Sequence, residues 1–474
     1  MLVACSRTPG PGVRSVVLLP FEDLRGAAGE PVAEALRLAL AESLEAQQSV
    51  FPITPAHARE AAGILATFRV DGYVAPDGFH LAINGEPLFC KGALDECAAT
   101  LSGKIATRAG ASQPSTPPPG AALALAKARQ SSSEESWRMA AESYKNHGPI
   151  WIGRVEHAAA TSAERAQSLA AEADTKGWRP IDVARLEVLR AAMKRDTAKT
   201  VEALEKLAAI APADINVQQR AAAALVEARR FKEGVAIYER ILAFGPNPAF
   251  ANEAAYAAAF AGDRAKAENF VARALQGAPN APRFIDTAGD LAYFFGDYAA
   301  AARHYAAANG HLKAAEAFAL AGDMPNAEAM LAKQPDDGLN KALLLWRTKR
   351  DVTLLEKSTN PRVPFYLALA KLHAKDFAGA KALRQRIKQP SIEFVILSAL
   401  IDAPPPNAGE AVHAVHAFLR GDKEKCLAQI AAAKAKLHPF ADSSLRRIED
   451  AVKGEKRTGY IPAALDDWLA FLGV

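Results

Sequence analysis

The stretch PRFIDTAGDLAYFFGDYAAAARHYAAAN, residues 282–309, holds two helical patterns joined by a turn. Its first half sets Ala288 beside Gly289, small residues where a neighbouring helix must come close. Gly296-Asp297-Tyr298 is the turn, with glycine closing one apolar helix pattern before the next opens. Ala301, Tyr305 and Ala308 follow at i, i+4 and i+7, which places them on one helical face.

The same arrangement recurs on either side. Residues 248–281 carry Ala254-Ala255, Gly262-Asp263, Ala267, Phe270, Ala274 and a closing Pro279. One step earlier come Ala221-Ala222, Phe231, Gly234, Tyr238 and Pro246, and a weaker copy ends at Pro212. A period of about 34 residues marks stacked helix pairs, an architecture that holds partners rather than performing chemistry. Downstream, Gly322-Asp323 follows Gly296-Asp297 after only about 26 residues, so the intervening first helix must be short. A degenerate unit lies near Lys341 to Lys357, another has Asp376-Phe377 and Ala380, and a last has Gly421-Asp422 with Cys426 in the Ala slot.

These residues resemble the tetratricopeptide repeat family, which places small, small, aromatic, Ala, aromatic, Ala and Pro at such intervals. The match is good from 181 to 309 and looser afterward, and the family's tryptophan near the start of each unit is absent. The resemblance implies an α-solenoid of helix hairpins that binds another protein. On this reading Ala254, Gly262, Ala267, Ala288, Gly289, Gly296, Tyr298, Ala301, Tyr305 and Ala308 are packing positions inside the array.

Residues 14–108 read differently. VRSVVLLPF is a strand, and Val32, Leu36, Leu40 and Leu44 mark a helix between Glu30 and Gln47. SVFPIT is a second strand, and a short helix through Ala58 and Ile64 follows. YVAPDGFHLAI folds as a hairpin about Pro76-Asp77-Gly78, and a last helix runs from Ala93 to Ala106. With Leu19-Pro20-Phe21 closing the first strand and Val70-Asp71-Gly72-Tyr73-Val74 entering the hairpin, the stretch resembles the TolB amino-terminal-like domain. That family's basic, Gly-rich hairpin is here short and acidic. Domains of that family often precede tetratricopeptide arrays in bacterial envelope and signalling proteins, so the resemblance implies the same arrangement here. The Pro-rich stretch 109–120 is the expected linker, 121–459 the helical repeats, and 460–474 an amphipathic capping helix with Leu465, Trp468, Leu469 and Leu472 on one face. The whole is mainly α, with a small amino-terminal α/β domain before the solenoid.

The amino terminus points to a compartment. Leu2-Val3-Ala4-Cys5 reads as a lipobox with Cys5 as the lipidation site, and residues 6–13 as its tether. No charged n-region or apolar h-region precedes it, so this reading expects coding sequence upstream of Met1; otherwise the protein is cytoplasmic. Nowhere do about 18 apolar residues run together, so the membrane is reached only through the lipid. Cys90 and Cys97 leave two readings open, a bridge formed in an oxidising periplasm or two small hydrophobes.

Half of the residues are hydrophobic, 23% are charged, and the formal net charge is +4. That is a folded protein with ample core, and a charge too small to argue for nucleic acid. Phosphate-loop, HExxH, GxSxG and GxGxxG motifs are all missing, and no cofactor is expected. His413 and His416 have helical metal spacing, but no acidic or cysteine neighbour completes a site, so no metal is expected. Asp336-Asp337 reads as a loop, and the basic residues from Lys434 to Arg457 as a solvated face with interleaved acids. The leading functional reading is a non-enzymatic scaffold of the bacterial cell envelope, lipid-anchored in the periplasm or at the outer membrane, binding a peptide or helix of another protein in the groove of its repeat array. The alternative is a cytoplasmic sensory or regulatory module of a larger signalling protein.

Overall fold

Alternating apolar residues build the sheet of the amino-terminal part. Strand β1 (Arg14–Leu18) sits between β3 (Val50–Ile53) and β4 (Phe68–Ala75), parallel to both. Strand β5 (Gly78–Ile83) pairs antiparallel with β4, β6 (Glu86–Cys90) pairs antiparallel with β5, and the two-residue β2 (Glu22–Asp23) runs beside β4. Val70, Val74, Phe79, Leu81, Ile83 and Leu88 turn one face inward, onto a core shared with helices α1 (Val32–Glu45) and α2 (Leu94–Arg108). Cys90, ending β6, and Cys97, in the first turns of α2, are joined by a disulfide.

The computed structural model describes residues 14–25, 31–45, 50–53, 67–111, 116–212, 214–243, 245–334, 338–387, 391–402, 404–405, 410–436 and 443–454, with 467 and 472. Cys5, the helix expected through Ala58 and Ile64, Asp336-Asp337 and most of the expected capping helix therefore lie outside the described residues. Strands β2 and β6 go beyond the sequence reading. The β5–β6 turn is Asn84-Gly85, both at positive φ (51° and 85°), the conformation a two-residue hairpin of right-handed strands requires.

The chain divides into two compact units, Met1–Arg229 with Ala236–Gly245, and Arg230–Val235 with Pro246–Val474. The Pro-rich stretch expected as a domain linker thus lies inside the first unit. There α1 packs on α3 (Ala121–Ser131), whose Ala122 joins the core under the sheet. Six further helices follow in that unit: α4 (Glu134–Ser143), α5 (Gly148–Ala159), α6 (Ala163–Glu172), α7 (Pro180–Met193), α8 (Thr197–Ile210) and α9 (Ile215–Glu227). Helix α10 (Phe231–Ala243) divides between the units.

The second unit is a succession of hairpins: α11 (Pro248–Phe260) with α12 (Arg264–Gly277), α13 (Pro282–Phe294) with α14 (Tyr298–Ala307), and the short α15 (His311–Leu320) with α16 (Met324–Leu331). Then come α17 (Leu339–Lys349), α18 (Thr353–Lys357), α19 (Val363–His373), α20 (Phe377–Arg384), α21 (Ile392–Ile401), α22 (Glu410–Leu419), α23 (Lys423–Lys436) and α24 (Ser443–Lys453). The fold is mainly α: a small α/β part followed by tetratricopeptide-like hairpins in a solenoid-like array.

Each Gly-Asp turn between the helices of a hairpin has a division of labour. Gly262 and Gly296 take φ of 80° and 82°, which ends a helix in the left-handed conformation. The next residue then caps the following helix: Asp263 accepts from Lys266 N–H and Asp297 from Ala300 N–H, both at 3.0 Å.

Candidate interaction surface

The expected packing residues fall into three groups. Ala254, Ala267, Ala301 and Tyr305 have no exposed surface, and Ala288 is buried. Gly262 and Gly296 make turns, while a Cβ on Gly289 would stand 2.6 Å from two carbons of the Tyr305 ring. Two residues lie nearer the surface than expected. Tyr298 is half-buried, its ring 5.2 Å from that of Tyr293. Ala308 is also half-buried, because α14 ends at Ala307 and Asn309 turns the chain away at a φ of 62°.

A polar seam, which the sequence reading missed, crosses the first helices of successive hairpins. Tyr256 on α11 donates its hydroxyl to Asp290 on α13 at 2.7 Å. Tyr305 donates to the other oxygen of Asp290 at 2.9 Å. From α15, Lys313 reaches Asp286 at 2.7 Å and Asp290 at 3.1 Å. One hairpin further, Tyr293 donates to Glu316 at 3.2 Å, and Arg347 on α17 lies 2.9 Å from the same carboxylate. Burial pushes the Asp290 carboxyl above its usual range, against the pull of Lys313 and the phenols. Burial likewise raises Glu316 against Arg347. Both phenols are pushed far up by burial and then by Asp290, so neither is poised to lose a proton. The seam binds helix to helix and contains no activated base. Its signal was present in the sequence, since Tyr256 and Asp290 occupy the same phase of consecutive repeats.

Beside the seam runs a half-buried aromatic row. The rings of Phe231 and Phe260 are 5.6 Å apart, Phe260 and Phe294 6.0 Å, and Phe294 and Phe295 5.1 Å. The Arg264 guanidinium lies 5.5 Å over Phe295. Phe260 and Phe294 end their first helices at matching places, so the repeat period sets the spacing of the row.

In the first unit, charged groups join α1 to the helical part. Glu42 meets His147 Nε2 at 3.0 Å, and Glu45 pairs with Arg179 at 3.3 Å and with Arg185. Arg179 also holds Asp182 at 2.7 Å and the Glu42 carbonyl at 3.0 Å. Burial opposes charge on Arg185, but Glu45, Asp182 and Asp214 outweigh it and raise its pKa. A cavity of 150 Å³ adjoins the cluster, lined among others by Pro118, Asn146, His147 and Asp182.

Among the described residues, no group of three or more His, Cys, Asp or Glu side chains is placed to hold a metal ion. His416, singled out for helical metal spacing with His413, points Nε2 at the Asp402 carbonyl at 3.1 Å. Cys426 fills its Ala slot as a buried thiol, pushed up to about 11 by burial. No described helix is long and apolar enough to cross a membrane.

No protein-family model matches the chain, and no curated protein does. Solved structures align with parts of it. The structure of pilF from Pseudomonas aeruginosa is 14% identical over 48% of this chain and 97% of that one, with a TM-score of 0.30. A tetratricopeptide repeat protein from Parabacteroides merdae is 14% identical over 58% of this chain and 99% of that one, with a TM-score of 0.29. At such TM-scores neither likeness bears on function.

Proposed function

We propose that this protein is a non-enzymatic scaffold of the bacterial cell envelope, holding a peptide or helix of another protein against the first helices of its repeat array. The observation that carries the reading is the half-buried row Phe231, Phe260, Phe294 and Phe295. Aromatic side chains offer large contact area at small entropic cost and are enriched at interfaces. Their repetition along the array suits an extended or helical partner that touches several hairpins in turn. The anchor is Cys5, lipidated after cleavage of a leader encoded upstream.

A photo-crosslinking amino acid at position 294, in the native host, should trap a discrete protein, whereas the same group at the exposed Arg303 should not. Equal labelling at both positions, or none at 294, overturns the scaffold reading. Cys5→Ser, expressed with its native upstream sequence, should move the protein from the membrane to the soluble fraction. Wild-type protein already soluble would return the cytoplasmic alternative.

A further inference from the structure

On the solvent side of the sheet, one in-register row crosses four strands: Glu22 on β2, Tyr73 on β4, His80 on β5 and Phe89 on β6. Tyr73 is 39% exposed and Phe89 46%, unusual for side chains of this size. The Tyr73 and His80 rings stack with centroids 4.7 Å apart and planes 12° off parallel, and Phe89 continues the row 4.7 Å beyond. Gly78 makes room for Phe89, since a Cβ there would stand 2.8 Å from its ring. Asp77 fixes the middle of the row through a 3.0 Å hydrogen bond with His80.

Because Tyr73 and His80 already cover each other's inner faces, a flat sugar or base has little ring face to lie on. Of the two ends of the row, the Tyr73 end is the one with a carboxylate beside it, since exposed Glu22 is the next residue in register. Exposed Asp71 lies two residues along β4 on the same face, and the Asp77 tip is acidic. A ring with carboxylates beside it is suited to a guanidinium, which is planar, stacks on aromatics and pairs with carboxylates. Strand addition is disfavoured at either end of the sheet, because β3 and β6 carry Pro52 and Pro87. We propose that this face docks an arginine-bearing segment of another protein, using none of the residues of the aromatic row Phe231, Phe260, Phe294 and Phe295.

The probe is a hexa-arginine peptide titrated at low salt into the full-length protein, with hexa-lysine for comparison. Hexa-arginine should bind more tightly than hexa-lysine. Tyr73→Ser and Glu22→Lys should each weaken it about two- to fivefold or more, while Glu164→Lys, an exposed charge reversal on α6, should not. Melting curves check that the variants fold. No binding, equal effects of all three variants, or equal affinity for hexa-lysine overturns the proposal. A soluble N-acetylglucosamine oligomer bound instead, and lost in Tyr73→Ser, would also overturn it by reassigning the face to glycans. The scaffold reading is tested separately by the crosslink at position 294, so either can fail alone.

Discussion

Gly289 lies against the ring of Tyr305 so closely that an added Cβ would stand 2.6 Å from Cδ1 and Cε1. Tyr305 has no exposed surface and its hydroxyl is tied to Asp290, so the ring has nowhere to go. Ordinarily Gly→Ala within a helix gains about 1 kcal/mol. Here the clash should win, and Gly289→Ala should lower stability. Gly289→Leu should cost about 1–3 kcal/mol or more. Urea unfolding of both variants measures this; a stabilised Gly289→Ala would mean that the two helices can separate freely.

Asp290 makes the second unit sensitive to pH. Its carboxyl is raised above the usual value by burial, so folding favours the protonated form. The sign follows from linkage: the stability tied to this group is complete below the unfolded pKa and is lost as pH rises through the folded one. The wild type should therefore lose stability relative to Asp290→Asn as pH rises from about 4, the ordinary carboxyl value. Melting temperatures of both proteins across that range test it. A difference that does not change with pH, or that grows in favour of the wild type, would contradict the direction.

Glu45 is the carboxylate that Arg179 and Arg185 share, and all three side chains are mostly withdrawn from solvent. Glu45→Gln would leave two guanidinium groups under-compensated. A fully buried pair costs about 3–5 kcal/mol when broken, and partial solvent access here should reduce that to about 1–3 kcal/mol. Because α1 also packs on α3, the sheet and the first helices should weaken together. Faster protease cleavage between residues 110 and 120 is the expected readout; unchanged cleavage would make the cluster a bystander.

The repeat hairpins were legible because their signals are local. Glycine at the left-handed position and aspartate at the cap are adjacent in the chain, and so are Ala288 and Gly289. Where another residue takes the left-handed position the dipeptide signal fades, although the geometry persists: Arg195 (φ 55°) precedes the Asp196 cap, and Lys375 (φ 63°) precedes Asp376. Strand β6 carries the strongest short hairpin signal in Asn84-Gly85, but its run EPLFC is only five residues long and includes Pro87, which weakens the strand pattern. The Glu42–His147 contact was not legible. Its partners are separated by 105 positions, and a polar residue on a helix reads as surface until the neighbouring element is placed. The seam at Asp290 stayed hidden for the same reason, although its period was in plain view.

At the carboxyl terminus the sequence predicts a capping helix. Leu472 is 2% exposed and belongs to the core of the second unit. Its carbonyl also lies 3.1 Å from Nδ1 of His373, at the end of α19. A solenoid needs cover over its final apolar face. A buried leucine reduced to alanine costs about 2–5 kcal/mol, so Leu472→Ala should lower the melting temperature of the second unit. Truncation after residue 454 should do so further and promote self-association, measured by calorimetry and light scattering. The competing idea is a docking helix for a partner. If truncation leaves stability unchanged but abolishes the crosslink formed from position 294, the segment recognises the partner and the capping role is wrong.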